Sequence, residues 1–211
     1  MIVLVAGAAS EEVSQLAVEL GGPEQLVLLT PHSVSGVGAG IPVVAADLLS
    51  ESETAAGWRQ LEESHGPARA LVVVPAPAET SAPMPFVSVS DAQWSATMEQ
   101  LTIAMHAARA AARSMMSRGE GRIVLVVWRL DEPAGLVPLT TVSGAVRQFA
   151  RALATEVGES GVTVNAVSVA PGRLADVAPI TRFLCSADSG YLTAEVIAPG
   201  SAAPARRGWP A

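Results

Sequence analysis

The chain contains no lysine; all 13 of its basic residues are arginine. Any mechanism that needs a lysine ammonium is therefore excluded, wherever its elements are placed. Tyrosine occurs once, as Tyr191, and cysteine once, as Cys185. A single cysteine rules out an internal disulfide and a multi-cysteine metal site, and no metal ligand set is expected. No apolar run approaches the ~20 residues of a membrane-spanning helix. Positive charge is in short supply: the net charge is −7 and the isoelectric point is near 4.9. That balance argues against general nucleic-acid binding and against an anionic membrane surface as partner. No basic leader or cleavage pattern comes before "MIVLVAG", so the expectation is a cytoplasmic protein.

What is present reads as a buried α/β domain. Of 211 residues, 50% are hydrophobic and 16% charged, a composition for a packed core and not for disorder. Short β-rich runs alternate with longer helical patterns, the signature of a parallel sheet covered by crossover helices. Strands are expected at "IVLVAG", "QLVLLT", "PVVAAD", "ALVVVPAP", "GRIVLVVW", "GVTVNAVSVAPG" and "YLTAEVIAP". Helices are expected at "EEVSQLAVEL", from about Asp91 to Arg118, from about Val137 to Gly158, and at "APITRFLCSA". In the third of these Val142, Val146, Phe149, Leu153 and Val157 recur at steps of three and four. Residues 75–86 form a Pro-rich loop. Residues 1–199 make one expected domain, and 200–211, with Arg206, Arg207 and Trp209, an expected mobile tail.

Three of these segments, "GRIVLVVW", "SGAVRQFARALATEVGESGVTVNAVSVAPG" and "RFLCSADSGYLTAEVI", resemble the short-chain dehydrogenase/reductase family, and the likeness runs from Ile2 to about Pro199. The resemblance implies a three-layer α/β/α Rossmann-like fold with a mostly parallel, seven-stranded sheet. It also implies NAD(P)(H) and hydride transfer at a carbonyl or alcohol, so each functional position has to be compared in turn.

The family's dinucleotide loop reads roughly Thr-Gly-x-x-x-Gly-x-Gly, with glycines that let the backbone approach a pyrophosphate at a helix N-terminus. Here the segment is "AGAASEEV": Gly7 remains, but Glu11 and Val13 stand at the later glycines. Their Cβ atoms obstruct that approach, and Glu11 and Glu12 add negative charge. A like charge at about 5 Å costs about 3 kcal/mol at an effective dielectric near 20. The same carboxylates suit the helix N-terminus. No cofactor is expected on this reading. After the fourth strand the family has Asn-Asn-Ala-Gly, whereas residues 73–76 read "VVPA". Asp47 matches the family's adenine-side Asp, although a turn or cap role explains it better.

The resemblance implies an Asn, Ser, Tyr and Lys as the catalytic group; this chain has Leu101, Trp128, Leu139 and Ser143 at those positions. No catalytic residue is expected. Positioned proton transfer of the family's kind contributes roughly 10²–10⁴ in rate, and none of the four can supply it. The mobile lid is shortened too, since "PGRLADVAPITRFL" runs almost directly from turn to helix. The helices that pair subunits in the family keep their character, with Met98 and Met105 on the first and Arg147, Phe149, Arg151 and Leu153 on the second.

Other candidates have plainer explanations. His32, His65 and His106 are scattered, which fits surface or packing roles. Cys185 reads as a small core residue, Ser10 with Glu11 and Glu12 as a helix cap, and Thr140, Thr141 and Ser143 as a helix start. The retained sheet and helices, set against the lost loop, catalytic group and lid, favour a non-catalytic subunit that associates with an active family member. One alternative is a repurposed, nicotinamide-independent lyase, cyclase or isomerase using Asp47, Glu11, Glu12, Arg129 and Asp131. The other is a homo-oligomeric binding protein.

Overall fold

The computed structural model describes residues 1–7, 10–31, 40–74, 84–129 and 136–200, without the side chain of Pro23. The expected histidine His32, Asp131, most of the Pro-rich loop and residues 201–211 of the tail lie outside these. Seven strands form one parallel sheet: β1 (Ile2–Ala6), β2 (Leu26–Thr30), β3 (Val43–Ala45), β4 (Ala70–Val74), β5 (Gly121–Trp128), β6 (Val162–Val169) and β7 (Val196–Ile197). Their spatial order is β3-β2-β1-β4-β5-β6-β7. The chain reverses its direction across the sheet between β1 and β4, which is where open α/β sheets receive ligands.

Five helices cover the sheet: α1 (Glu11–Leu20), α2 (Glu51–His65), α3 (Asp91–Arg118), α4 (Val137–Val157) and α5 (Ala178–Leu184). Strand side chains alternate between two cores. Val3, Val5, Leu29, Leu71, Ile123 and Val164 face α2, α3 and α4. Leu4, Leu28, Val72, Val124, Val126 and Val167 face α1 and α5. Burial on both faces is why these strands read as near-continuous Val/Leu/Ile runs instead of alternating with polar residues.

Local chemistry sets the helix ends. Ser10 caps α1 by accepting from the Val13 N–H at 3.1 Å, as its sequence context suggests. At the start of α3 the Ser90 side chain accepts from the Gln93 N–H, while the Gln93 side chain accepts from the Ser90 N–H, a reciprocal capping box. Toward its C-terminus α3 buries Ala104, Ala107, Ala108, Ala110, Ala111 and Ala112, and these small side chains let the helix lie close on the sheet. The start of α4 corrects one expectation. It begins at Val137 with Pro138 in its first turn, where the fixed φ of proline suits a helix start. Ser143 therefore lies inside the helix, 5% exposed, and does not cap it. Helix α2 is an element to which the sequence reading assigns nothing. Among the described residues no helix is long and apolar enough to cross a membrane.

Candidate functional site

The strand ends that would receive a ligand belong to β1, β4, β5 and β6. Gly7 follows β1 directly and is half-buried. Behind it Val13, at the place of a family glycine, is 1% exposed and part of the α1 core. Its side chain packs into that core, at the glycine that in the family allows close helix–strand packing. Glu11 points to solvent, but Glu12 is half-buried. The Glu12 carboxylate reaches across the sheet end to within 3.9 Å of where a Cβ on Gly172 would stand. An anion from α1 thus lies beside the turn that follows β6. Glu11 and Val13 thus stand where the family keeps glycines, and Glu12 brings a carboxylate to this end of the sheet.

Asp47 is exposed, and its Oδ1 accepts the Leu49 N–H at 2.9 Å. The Asp47 N–H donates to Glu53 Oε2, and the Asp47 carbonyl accepts from the Thr54 hydroxyl. The carboxylate therefore closes the turn into α2.

At the positions aligned with the family's catalytic residues the side chains are packed. Trp128 is 2% exposed at the end of β5. Leu139 lies against both cores and Leu101 against the one under α3. A cavity lined by Gly7, Val73, Trp128, Val142 and Ser143 remains, with a volume of about 20 Å³, room for roughly one water. The sequence reading has Arg147 on a subunit-facing surface. Its Nη2 donates to the Trp128 carbonyl at 3.0 Å, which ties α4 to the end of β5. Met98, Met105, Phe149 and Leu153 are half-buried and Arg151 is exposed. Toward β7, Arg129 follows β5 and its Nη1 donates to the Pro199 carbonyl at 3.3 Å.

The remaining candidates have structural partners. His106 is 9% exposed, and its Nδ1 lies 3.0 Å from the Leu48 carbonyl, so this nitrogen carries the proton. His65 is exposed at the end of α2. Burial pushes the Cys185 thiol up to about 12, with Arg122 opposing the shift. A thiol that stays protonated to such a pH is no nucleophile at neutrality. Among the described residues no group of three or more His, Cys, Asp and Glu is placed to hold a metal ion.

Comparison with known proteins places this geometry. A family model described as enoyl-(acyl carrier protein) reductase matches residues 29–173. The 3-oxoacyl-[acyl-carrier-protein] reductase FabG of Haemophilus influenzae is 30% identical over 51% of this chain and 57% of its own length. Short-chain reductase protein NovJ of Streptomyces niveus is 36% identical over 43% of this chain and 34% of its own length. The match thus takes in less than two thirds of either relative. Among solved structures, a short-chain dehydrogenase from Mycobacterium smegmatis superposes with a TM-score of 0.77 at 24% identity, covering 96% of this chain and 92% of that one. A short-chain type dehydrogenase/reductase from Mycobacterium ulcerans gives 0.76 at 20% identity, covering 93% and 87%. At such identities these two structures speak for the fold alone.

Proposed function

The chain belongs to the short-chain dehydrogenase/reductase family, and from that premise we propose that it is a non-catalytic member. On this reading it is a subunit that associates with an active family enzyme through α3 and α4 and holds no nicotinamide dinucleotide of its own. The observation that carries the reading lies on α3. Its first fully buried residue is Ala104, so from Asp91 to Ile103 no side chain is fully buried, and Met98, Leu101 and Ile103 pack only in part against the core under the helix. That stretch is about three and a half turns. Trp94, Met98, Leu101 and Ile103 are half-exposed along it, and Phe149 and Leu153 are half-exposed on α4. Two helices from a second subunit would cover both rows.

The chemistry supports the same reading. Trp128 and Leu139 are packing residues at positions where an enzyme of this family needs polar groups, and Glu12 sets a negative charge where phosphates would lie. Against a repurposed enzyme stands the apolar cavity of about 20 Å³ at Trp128, far below the ~300 Å³ at which ligand pockets begin.

The test is native mass spectrometry on tagged protein isolated from its own host. The expected species is a stoichiometric complex with a family member whose catalytic residues are intact. Phe149→Arg should release that partner while leaving this chain folded. A homo-oligomer alone, unaffected by a coexpressed family member, overturns the proposed partner.

A further inference from the structure

At the C-terminal end of the sheet one charge is unanswered. The Glu12 carboxylate is half-buried and reaches to within 3.9 Å of the Cβ position at Gly172, yet among the described residues it makes no hydrogen bond or ion pair. A carboxylate drawn partly out of water is costly without a partner. Of the 13 arginines, all but Arg206 and Arg207 belong to the described residues, and none of those meets Glu12. Arg173 is committed to Asp176, and Arg129 has partners of its own. We propose that residues 201–211 lie across this end of the sheet as an intramolecular strap, with Arg206 and Arg207 seated on Glu12.

Chain path and charge both favour this occupant. Pro199 and Gly200 border an open cavity of about 360 Å³ together with Ala170 and Arg173, and Ala170 opens the turn that brings Gly172 to Glu12. Residues 201–205 read Ser-Ala-Ala-Pro-Ala, small enough to run along that cavity. Six extended residues span about 20 Å, more than such a cavity is wide, so Arg206 reaches the turn from Gly200. Residues 201–211 carry two positive charges and no acidic residue, while Glu11 stands exposed beside Glu12. A guanidinium presents paired donors in the geometry a carboxylate matches. The strap covers the strand ends that the short segment between β6 and α5 leaves open. The proposal does not depend on the partner subunit.

Because the chain lacks lysine, trypsin can cleave it only after arginine. The purified protein, with whatever subunit accompanies it, is treated with trypsin under native conditions, and intact-mass spectrometry follows loss of the residues beyond Arg206 or Arg207. Cleavage should be at least about fivefold slower than in a synthetic peptide of residues 201–211, since it needs the strap to open first. Glu12→Gln should remove most of that protection. Salt at 0.5 M should speed cleavage of the wild-type chain but not of this variant. Glu24→Gln, at the opposite end of the strands, should leave the rate unchanged. Should Glu12→Gln lose stability, the full-length double variant Arg206→Gln, Arg207→Gln gives a second reading: amide hydrogen exchange in the turn after β6 should rise. Cleavage of the wild-type chain as fast as the peptide overturns the strap. Protection that Glu12→Gln leaves intact, or exchange that the double variant does not change, overturns its seat on Glu12.

Discussion

Restoring the family's catalytic serine at position 128 should damage the fold and return no activity. Trp128 is 2% exposed and lines a residual space of only about 20 Å³, so its indole is the filling of that region. Truncating a buried Trp or Phe costs about 3–5 kcal/mol. The serine hydroxyl, set among Val73, Val142 and Val146, adds a polar group with little to pair with. A total near 4 kcal/mol is a large share of the ~5–15 kcal/mol that stabilises a typical domain. With a urea slope of about 2–3 kcal/mol per molar, Trp128→Ser should lower the unfolding midpoint by roughly 1.5–2 M. Trp94→Ser is the matched control. That residue lies in the first turn of α3, half-buried with its ring 6.2 Å from that of Phe86, where the loss to this chain's own stability should be smaller, about 1 kcal/mol. Chemical denaturation followed by circular dichroism distinguishes them. A midpoint shift for Trp128→Ser below about 0.5 M would mean that the indole covers an open pocket, and the case for a packed, non-catalytic site would fail.

Three further outcomes are expected. Gly161 has φ +74°, and a Cβ there would stand 2.1 Å from the Gly119 backbone oxygen, so Gly161→Ala should cost at least about 2 kcal/mol; an unchanged melting temperature would contradict the close approach of these two turns. Cys185 ionises near 9.0 when unfolded and only near 12 when folded, so its contribution to stability is complete below pH 9.0 and is lost as pH rises toward 12. Cys185→Ala should flatten that alkaline loss, and rapid alkylation of the native thiol at neutral pH would refute the raised pKa. Titration with NADH should give no saturation at about 1 mM, given the roughly hundredfold penalty of one close like charge; saturable binding would overturn the reading of Glu12 and Val13.

The sheet was legible because strands buried on both faces have to be apolar throughout, and runs such as "LVLL" and "IVLVVW" leave little else to be. Helix α2 was not, because it buries only Thr54, Gly57, Trp58 and Leu61. Three of those four are not aliphatic, so the apolar stripe is faint. Gly57 obscures it further, being small because a Cβ there would lie 3.0 Å from both Ala46 and Leu29. A local signal did exist, since the Ser50 hydroxyl accepts from the Glu53 N–H at 3.3 Å. The identities at the site could be read directly: Trp128 for Ser and Leu139 for Tyr are matters of sequence. Distances across the fold could not. Nothing local says that Glu12 reaches toward Gly172, that Arg147 turns in to the Trp128 carbonyl, or that Arg129 and Arg173 share a cavity. Each depends on how strands far apart in the chain end beside one another.

Natural sequences tend to break local rules of packing where function requires it, and to follow them elsewhere. By that measure the strand ends of this chain have changed character. Val13, Trp128, Leu139 and Val73 obey core logic in places where an enzyme of this family keeps backbone bare or polar groups buried. A site under selection for chemistry bears a stability cost, and on the proposed reading that cost has been removed along with the chemistry. The remaining breach lies elsewhere. The first part of α3 is capped by Ser90 and Gln93, yet Trp94, Met98 and Ile103 stay partly exposed there and no side chain before Ala104 is fully buried. Phe149 stands half-open on the neighbouring α4. A chain selected only to fold alone would have made those positions polar, as it made core of its strand ends. Their persistence is best explained by a second subunit seated on α3 and α4, and so by a function exercised through what the helices touch.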